Sequence, residues 1–414
     1  MTDIPEPKRF HATDHDINTD HIDKDALWVI HRLKEAGFDA YLVGGSVRDL
    51  LRKKTPKDFD ISTNAKPEEV KALFGRQCLL IGRRFRLAHI RFGRKIIELA
   101  TFRAGENLKD ELITHDNIWG TEFEDVMRRD FTINGLCYDP ESHTVIDYVG
   151  GWDDVHKELL RTIGNPEVRF RQDPVRMMRL LKFRARFRYE IASDAKKALL
   201  KCRKEIVKSS PARVLEEIFR MLESGYSAPF FQLMTESKLL ELIFPELARH
   251  FEAADPDLYP WLLAVDEHNQ NRPKPLDRGI LIASLLFPLV EKEVQTYMEK
   301  ERNAPHLGQV QNMSYDVIRE NLIQAFAHFP RKISAIAVSV ISFQYRLTPL
   351  GPKKSHIGRT LKNRDFPYAL HLLKLRARVN PELDEIFEDW KEKYLKTHPH
   401  PKTDRIKTHV RRRR

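Results

Sequence analysis

Residues Tyr41–Ser62 read YLVGGSVRDLLRKKTPKDFDIS. An apolar run of strand character, Ala40–Val43, meets Gly44-Gly45-Ser46, and a helical pattern begins there. Glycine lets a backbone come close to a ligand, and the open N–H groups of a helix start suit a phosphate. The Ser46 hydroxyl can add one more donor. About a dozen residues on, Asp58 and Asp60 stand at positions i and i+2 of a predicted strand, which point to one face. Two carboxylates on one face repel each other unless a cation lies between them, and together they can ligate Mg²⁺. Ions held in this way lower the pKa of an attacking hydroxyl and stabilise leaving pyrophosphate. Read singly, the glycines are a turn and the acids are an exposed pair. Their order along one strand–turn–helix–strand segment is what points to metal-assisted chemistry on phosphates.

Outward from this segment the pattern divides. Residues 1–22 read as a loosely ordered arm. Ala26, Val29, Ile30 and Leu33 recur at helical spacing and Gly37 follows as a stop. From about 39 to 147 the runs are short and β-rich: Ala40–Val43, Phe59–Ser62, Leu79–Ile81, Phe85–Phe92, Ile96–Phe102 and Val145–Tyr148. Pro67–Phe74, with Pro at a first helical position, is a helix among them. Residues 103–121 are polar and poor in pattern, which predicts a mobile loop. Beyond about 155 nearly everything reads as helix. Met177, Leu180, Leu181 and Ala185 form one stripe, Val214, Ile218, Met221 and Leu222 another, and Leu370, Leu373, Leu375 and Val379 a less regular third. The fold class is therefore α+β: a head with a small mixed β-sheet, then an all-helical remainder. The ranges expected are an arm at 1–22, a head at 23–154, a helical neck at 155–225, a helical body and tail at 226–398 and a basic tail at 399–414.

The 414 residues carry 71 Lys and Arg against 60 acids, a formal charge of +11. That excess suits RNA, DNA or an anionic membrane. Cys78, Cys137 and Cys202 are scattered and show no CxxC spacing, which argues against a disulfide framework or structural zinc and makes the cytosol the natural compartment. The polar N-terminus lacks the apolar run of a signal peptide. Gly279–Val290 and Ile333–Phe343 are too short to span a bilayer and read as buried helices, so no membrane insertion is expected.

GGSVRDLL followed by DFDIST resembles the signature of the bacterial poly(A) polymerase and tRNA CCA-adding superfamily, the class II nucleotidyltransferases. The resemblance implies a mixed-sheet head followed by helical neck, body and tail. It implies catalysis by Asp58 and Asp60 with Mg²⁺, and nucleotide binding by Gly44, Gly45, Ser46 and Arg48. It also extends to Arg128-Arg129-Asp130-Phe131-Thr132-Ile133-Asn134, a stretch that closes the nucleotide site in the family. There Arg128 and Arg129 are suited to phosphates, Asn134 joins the nucleotide-binding set, and Asp130 either binds ribose or helps organise the catalytic acids. Glu98, on the predicted strand IIELATFR, is a second candidate metal ligand, placed behind Asp130. Ile146–Gly151 resembles the family's flexible linker, its paired glycines a potential hinge.

RFRQDPVRMMRLLKFRAR opens the neck. Asp173 and Arg176 are three apart on a predicted helix and share a face. A carboxylate accepts from an exocyclic amine and a guanidinium donates to a ring nitrogen, so the pair matches adenine or cytosine and rejects guanine or uracil. Read alone, it is a surface ion pair. The family often places an acid just before this Asp; here Gln172 stands there, which leaves the support of Arg176 open. Arg161–Glu190 holds nine Lys or Arg and three acids, with Phe170, Phe183, Phe187 and Tyr189 interleaved. That suits RNA phosphates, with the aromatics reading as core. SSPARVLEEIFRMLESG resembles the last family block, with Arg213 and Glu217 as stabilisers of the neck.

Leu80–Ile90, LIGRRFRLAHI, resembles a signature of the poly(A) polymerase branch, and FPYALHLLKLRARV fits the same branch. The implied activity is template-independent addition of AMP from ATP to RNA 3′ ends, in RNA processing or turnover. The alternatives are whole or partial CCA addition to tRNA, and a non-catalytic RNA-binding protein, which the retained acids disfavour. His15-Asp16 and His115-Asp116 are HD dipeptides without further ligands in a helical context. No GxGxxG follows a strand, so a dinucleotide enzyme is excluded. Arg411–Arg414 reads as a solubilising end or a non-specific RNA contact.

Overall fold

The computed structural model describes residues 5–82, 87–104, 118–252, 258–326, 328–350 and 357–398. They fall into two compact units, Met1–Glu205 and Ile206–Arg414, a division that the range 155–225 spans.

The first unit is built on an eight-stranded sheet. Its strands are β1 (Lys8–Phe10), β2 (Ala40–Val43), β3 (Asp60–Thr63), β4 (Cys78–Ile81), β5 (Leu87–Phe92), β6 (Lys95–Thr101), β7 (Leu136–Asp139) and β8 (Thr144–Asp147). They lie in the order β1-β8-β7-β2-β3-β6-β5-β4, with β3 and β6 parallel and every other neighbouring pair antiparallel. The sheet is thus mixed, as expected. Helix α1 (Lys24–Glu35) is capped by Asp23, which accepts from the N–H groups of Asp25 and Ala26, and it buries Ala26, Val29, Ile30 and Leu33. Its stop is Gly37, at φ 82°, with the next N–H, of Phe38, returning to the Leu33 carbonyl. Helix α2 (Gly45–Leu51) follows β2, α3 (Pro67–Phe74) has its proline in the first turn, and α4 (Glu122–Met127) starts at a Thr121/Glu124 capping box. Then come α5 (Gly151–His156), α6 (Pro166–Gln172), α7 (Val175–Phe187) and α8 (Ser193–Cys202).

Three expectations change here. The arm is not loosely ordered over its described part: β1 pairs with β8, and the Phe10 ring stacks on Trp152 at 3.9 Å. Three residues, KRF, are too few to show a period, and their partner lies far along the chain. Strand β7, LCYD, is likewise too short to read as a run, although it is an interior strand of the sheet between β2 and β8. The paired glycines are not a free hinge. Asp147 accepts from the N–H groups of Val149, Gly150, Gly151 and Trp152 at 2.9–3.0 Å. A Cβ on Gly151 would lie 2.2 Å from the Thr132 carbonyl oxygen, so the backbone is wedged there. Of the loop 103–121, Arg103 and Trp119 form an isolated bridge, while 105–117, with His115-Asp116, lie outside the described residues.

The second unit is helical. Helix α9 (Pro211–Ser224) buries Val214, Ile218, Met221 and Leu222 on one side. Both apolar stretches are helical: Gly279–Val290 is buried within the helix Arg278–Glu301, and Ile333–Phe343 lies within Arg331–Leu347, buried from Ile336 on one side but exposed at Ala335. Among the described residues no helix is long and apolar enough to cross a membrane. Arg278 joins the first of these helices to α9 through Glu216 and Glu223, at 2.9 and 2.6 Å.

Candidate active site

The site is assembled on the β2–β3–β6 centre of the first unit. Strand β3 begins at Asp60, so Asp58 lies just before it in the connecting segment. Parallel pairing sets Asp60 opposite Glu98. Both carboxylates are exposed, Glu98 by 56%, and His89 Nε2 approaches Glu98 at 3.7 Å. Asp60 is open to solvent yet lies among protein on several sides. Withdrawal from bulk water raises its pKa, the negative charges of Glu98 and Asp58 add to this, and Arg129 opposes it. Three acids therefore bear on one patch, of which the strand spacing announced two.

Behind the acids, Gly44 adopts φ 72°, ψ −126°, a conformation that side chains strongly disfavour. A Cβ there would meet Arg129 Nη1 at 3.0 Å. Glycine is what lets that guanidinium lie against the start of α2. Arg129 donates to Asp125 at 2.9 Å and to the Ser62 hydroxyl at 3.3 Å. Burial works against its charge, and Asp125, Cys137 and Asp60 more than offset it, so it is held as a cation. The Ser46 hydroxyl does not face outward as expected. It is buried and donates to the Val43 carbonyl at 3.1 Å. Gly45 opens α2, so the backbone of this turn supplies what a ligand would meet.

Arg48 and Asn134 come together but not as open ligand groups. Arg48 is buried, donates to Asn134 Oδ1 at 2.6 Å and to Asp49 at 2.8 Å, and lies over the Phe187 ring at 4.3 Å. It ties α2 to α7. Phe183 and Phe187 are therefore only half-buried, carrying cations on their faces, whereas Phe170 and Tyr189 are core as read.

Asp130 sits apart in a clasp of arginines. It accepts from Arg176 Nε and from Arg179 Nη1, both at 2.7 Å. Burial opposes its ionisation, but Arg179 and Arg176 prevail and hold it at about 2. The strand register sets Glu98 alongside Asp60, while Asp130 is engaged by Arg176 and Arg179. Arg176 is 5% exposed. Besides Asp130 it donates to the Arg128 carbonyl at 3.0 Å and reaches the Arg169 carbonyl at 3.5 Å, with Asp173 Oδ2 at 4.0 Å. Its support is thus Asp130, the acid that Gln172 does not supply. Asp173 caps the end of α6 and is buried beside it. Arg128 contributes its backbone carbonyl to this clasp. Arg179, Arg169 and Asp125 were missed. Only Asp125 had a local signal, its i,i+4 spacing to Arg129; Arg179 meets Asp130 49 residues away in sequence.

A glycine turn with a half-buried cation behind it, Asp60 and Glu98 on adjoining strands and Asp58 just upstream are the features of a nucleotidyltransferase head. Residues 40–161 match the family described as "Poly A polymerase head domain", and residues 188–251 the one described as "Probable RNA and SrmB- binding site of polymerase A". The poly(A) polymerase I of Salmonella typhi is 36% identical over 411 residues, spanning 95% of this chain and 85% of the relative. A CCA-adding enzyme of Lactobacillus helveticus is 34% identical over 238 residues, spanning only 57% of this chain and 58% of its own. The fold is shared with the Bacillus stearothermophilus CCA-adding enzyme solved with CTP, at TM-score 0.65 and 24% identity over 91% of this chain and 82% of that one. The chain belongs to the poly(A) polymerase family of polynucleotide adenylyltransferases.

Proposed function

We propose that this enzyme transfers AMP from ATP to the 3′ end of RNA without a template, releasing pyrophosphate, in RNA processing or turnover. The observation that carries the reading is the register of Asp60 against Glu98, with Asp58 just upstream and the Gly44–Arg129 contact behind. The donor set fits Mg²⁺. Burial and the negative charges of Glu98 and Asp58 raise the proton affinity of Asp60, which a cation would relieve. Asp58 and Asp60 would hold it, with Glu98 as a further ligand. Bound there, Mg²⁺ neutralises charge on the phosphates and activates the RNA hydroxyl. Gly44, Gly45, the Ser46 backbone and Arg129 would face the triphosphate, with Arg128 beside them. Arg48 and Asn134 would hold α2 in place beneath them.

Asp130 orients Arg176 and Arg179, and Asp173 with Arg176 would read the amine and ring-nitrogen edge of the base. For Arg176 this needs an exchange of its present carbonyl partners. The head at 23–154 would then do the chemistry, the neck at 155–225 choose the base, and the body and tail at 226–398 hold RNA, with 399–414 adding phosphate contacts. Three free, buried cysteines support a reducing, cytoplasmic setting. The test is incubation with Mg²⁺, a generic RNA and each NTP separately, followed by sizing of the RNA. A long ladder with ATP alone is expected. Short, tRNA-restricted addition that uses CTP would assign CCA addition instead.

A further inference from the structure

The second unit carries a cavity of about 500 Å³, within the range of small-ligand sites. Two helices wall it, Leu307–Ile318 and Arg331–Leu347, with Asn363 at one edge. It lies outside the stretch 188–251 that matches the RNA-binding family. Its lining is amphipathic in a particular way. Tyr315 is 47% exposed and Leu307 is exposed beside it, so apolar surface faces solvent where a core would have hidden it. The charged side chain in the lining is Arg346, which lies over the Phe343 ring at 5.3 Å. Gln311 and Asn363 bring amide groups, and Asn363 Oδ1 accepts from the Asp365 N–H at 2.8 Å.

One wall is one-signed in sequence, while the other carries Asp316 next to Tyr315, paired with Arg319 at 3.1 Å. From Arg331 to Arg364 there are eight Lys or Arg and no Asp or Glu. A chain with 60 acids in 414 residues would ordinarily place about five in a stretch of that length. Arg364, next to the lining residue Asn363, is 87% exposed, with Asp365 Oδ1 4.0 Å from its Nε. Arg346 in the lining and Arg364 beside it, with an exposed aromatic and amide donors, make an arrangement suited to gripping an unpaired nucleotide. The ring stacks on a base, the amides meet its edge, and the cations follow the phosphates.

We infer that this cavity binds a nucleotide of single-stranded RNA, with Tyr315 stacking on the base and Arg346 at the phosphate. The inference rests on the reading of the enzyme as an RNA adenylyltransferase and adds to it a substrate contact in a different compact unit from the catalytic acids. A duplex would not enter, because its bases are already stacked on one another.

The experiment uses the full chain. Fluorescence anisotropy with a labelled 15-nucleotide oligoadenylate compares wild type, Tyr315→Ala, Tyr315→Phe and Arg346→Ala, and an abasic oligonucleotide of equal length serves as the second probe. Tyr315→Ala should weaken oligoadenylate binding by roughly 5- to 150-fold, the range for loss of one stacked base. It should leave the abasic probe unaffected, and Tyr315→Phe should bind as wild type. Arg346→Ala should weaken both probes. In extension assays the KM for RNA should rise for Tyr315→Ala while kcat at saturating RNA holds. Unchanged oligoadenylate affinity in Tyr315→Ala would overturn the inference, as would an equal loss on the abasic probe. An equal loss with a fallen Tm would place Tyr315 in the packing. If wild type extends no RNA with ATP, the catalytic reading fails; binding by the cavity is scored separately by the anisotropy.

Discussion

At Asp60, Glu98 and Asp58 oppose ionisation while Arg129 favours it. Replacing Asp58 or Asp60 by Ala is expected to cut nucleotide addition by roughly 10²-fold or more while RNA affinity is kept. Turnover near wild type in Mg²⁺ would remove both from the site. Arg176 poses a different question because it is committed twice over. Arg176→Ala strips one of two arginines from Asp130, a half-buried carboxylate that keeps Arg179, so Tm should fall, by the equivalent of about 1–3 kcal/mol. If Arg176 also reads the base, the preference in kcat/KM for ATP over GTP should drop roughly 5- to 150-fold, and that is the outcome we expect. An unchanged ratio with a lowered Tm would confine Arg176 to holding Asp130. Glu122 gives a pH handle. Its Oε1 is buried with no hydrogen-bond partner among the described residues. Burial pushes it up to about 7, which Arg9, Cys137 and Tyr148 offset only in part. Its ordinary value is 4.5, so between about 4.5 and 7 the folded state binds more protons and stability falls as pH rises through that window. Glu122→Gln should remove this slope, matching wild type near pH 4.5 and exceeding it above pH 7. Parallel Tm curves across the range would refute the assignment. None of this burial was legible in the sequence. The paired aspartates and Gly44 were, because strand spacing and a turn are local. The Asp130 clasp was not, because its arginines are 46 and 49 residues away.

Among the elements, the turn into α5 joins sheet to helices through one carboxylate and two glycines that differ in what they meet. Gly150 has φ 79° with nothing within 4 Å of an added Cβ, whereas Gly151 is pressed on the Thr132 carbonyl. Gly150→Ala should therefore cost only the left-handed backbone penalty, roughly 1 kcal/mol. Gly151→Ala should cost more, about 1–3 kcal/mol or beyond, since backbone must move. The two Tm shifts measure this directly, and equal shifts would mean the turn yields as a hinge does. The same comparison shows what an isolated reading of GG leaves out. Glycine pairs mark a turn, but whether the turn flexes depends on Thr132, which approaches from another element. Elements with a full period were legible: α1 through Ala26, Val29, Ile30 and Leu33, and α9 through its apolar stripe. Strands β1 and β7 were not, for they are three and four residues long and their existence depends on the partners β8 and β2.

Across the whole molecule, charge is distributed unevenly, and that has a measurable consequence. Residues 399–414 hold seven Lys or Arg and one acid, so +6 of the net +11 lies in the last sixteen residues. The remaining chain is close to balanced, with local excess where Arg161–Glu190 and Arg331–Arg364 concentrate cations. RNA affinity should then fall steeply with salt, because each neutralised phosphate releases counterions, with a slope of about 0.7 per contact on single strands. Deleting 399–414 should lower the log–log slope by about 1 to 4, the result of losing some but not all of seven cations at that value. Base choice should not change, since the groups proposed for it, Asp173 and Arg176, lie in the first compact unit. The measurement is oligoadenylate affinity at several salt concentrations for the full and shortened chains, together with their ATP-to-GTP ratios in kcat/KM. A shortened chain with the same salt slope would show that the terminal cations touch no phosphate. A shortened chain with an altered ratio would show that they act on nucleotide selection, against the division of labour between base reading and phosphate contact.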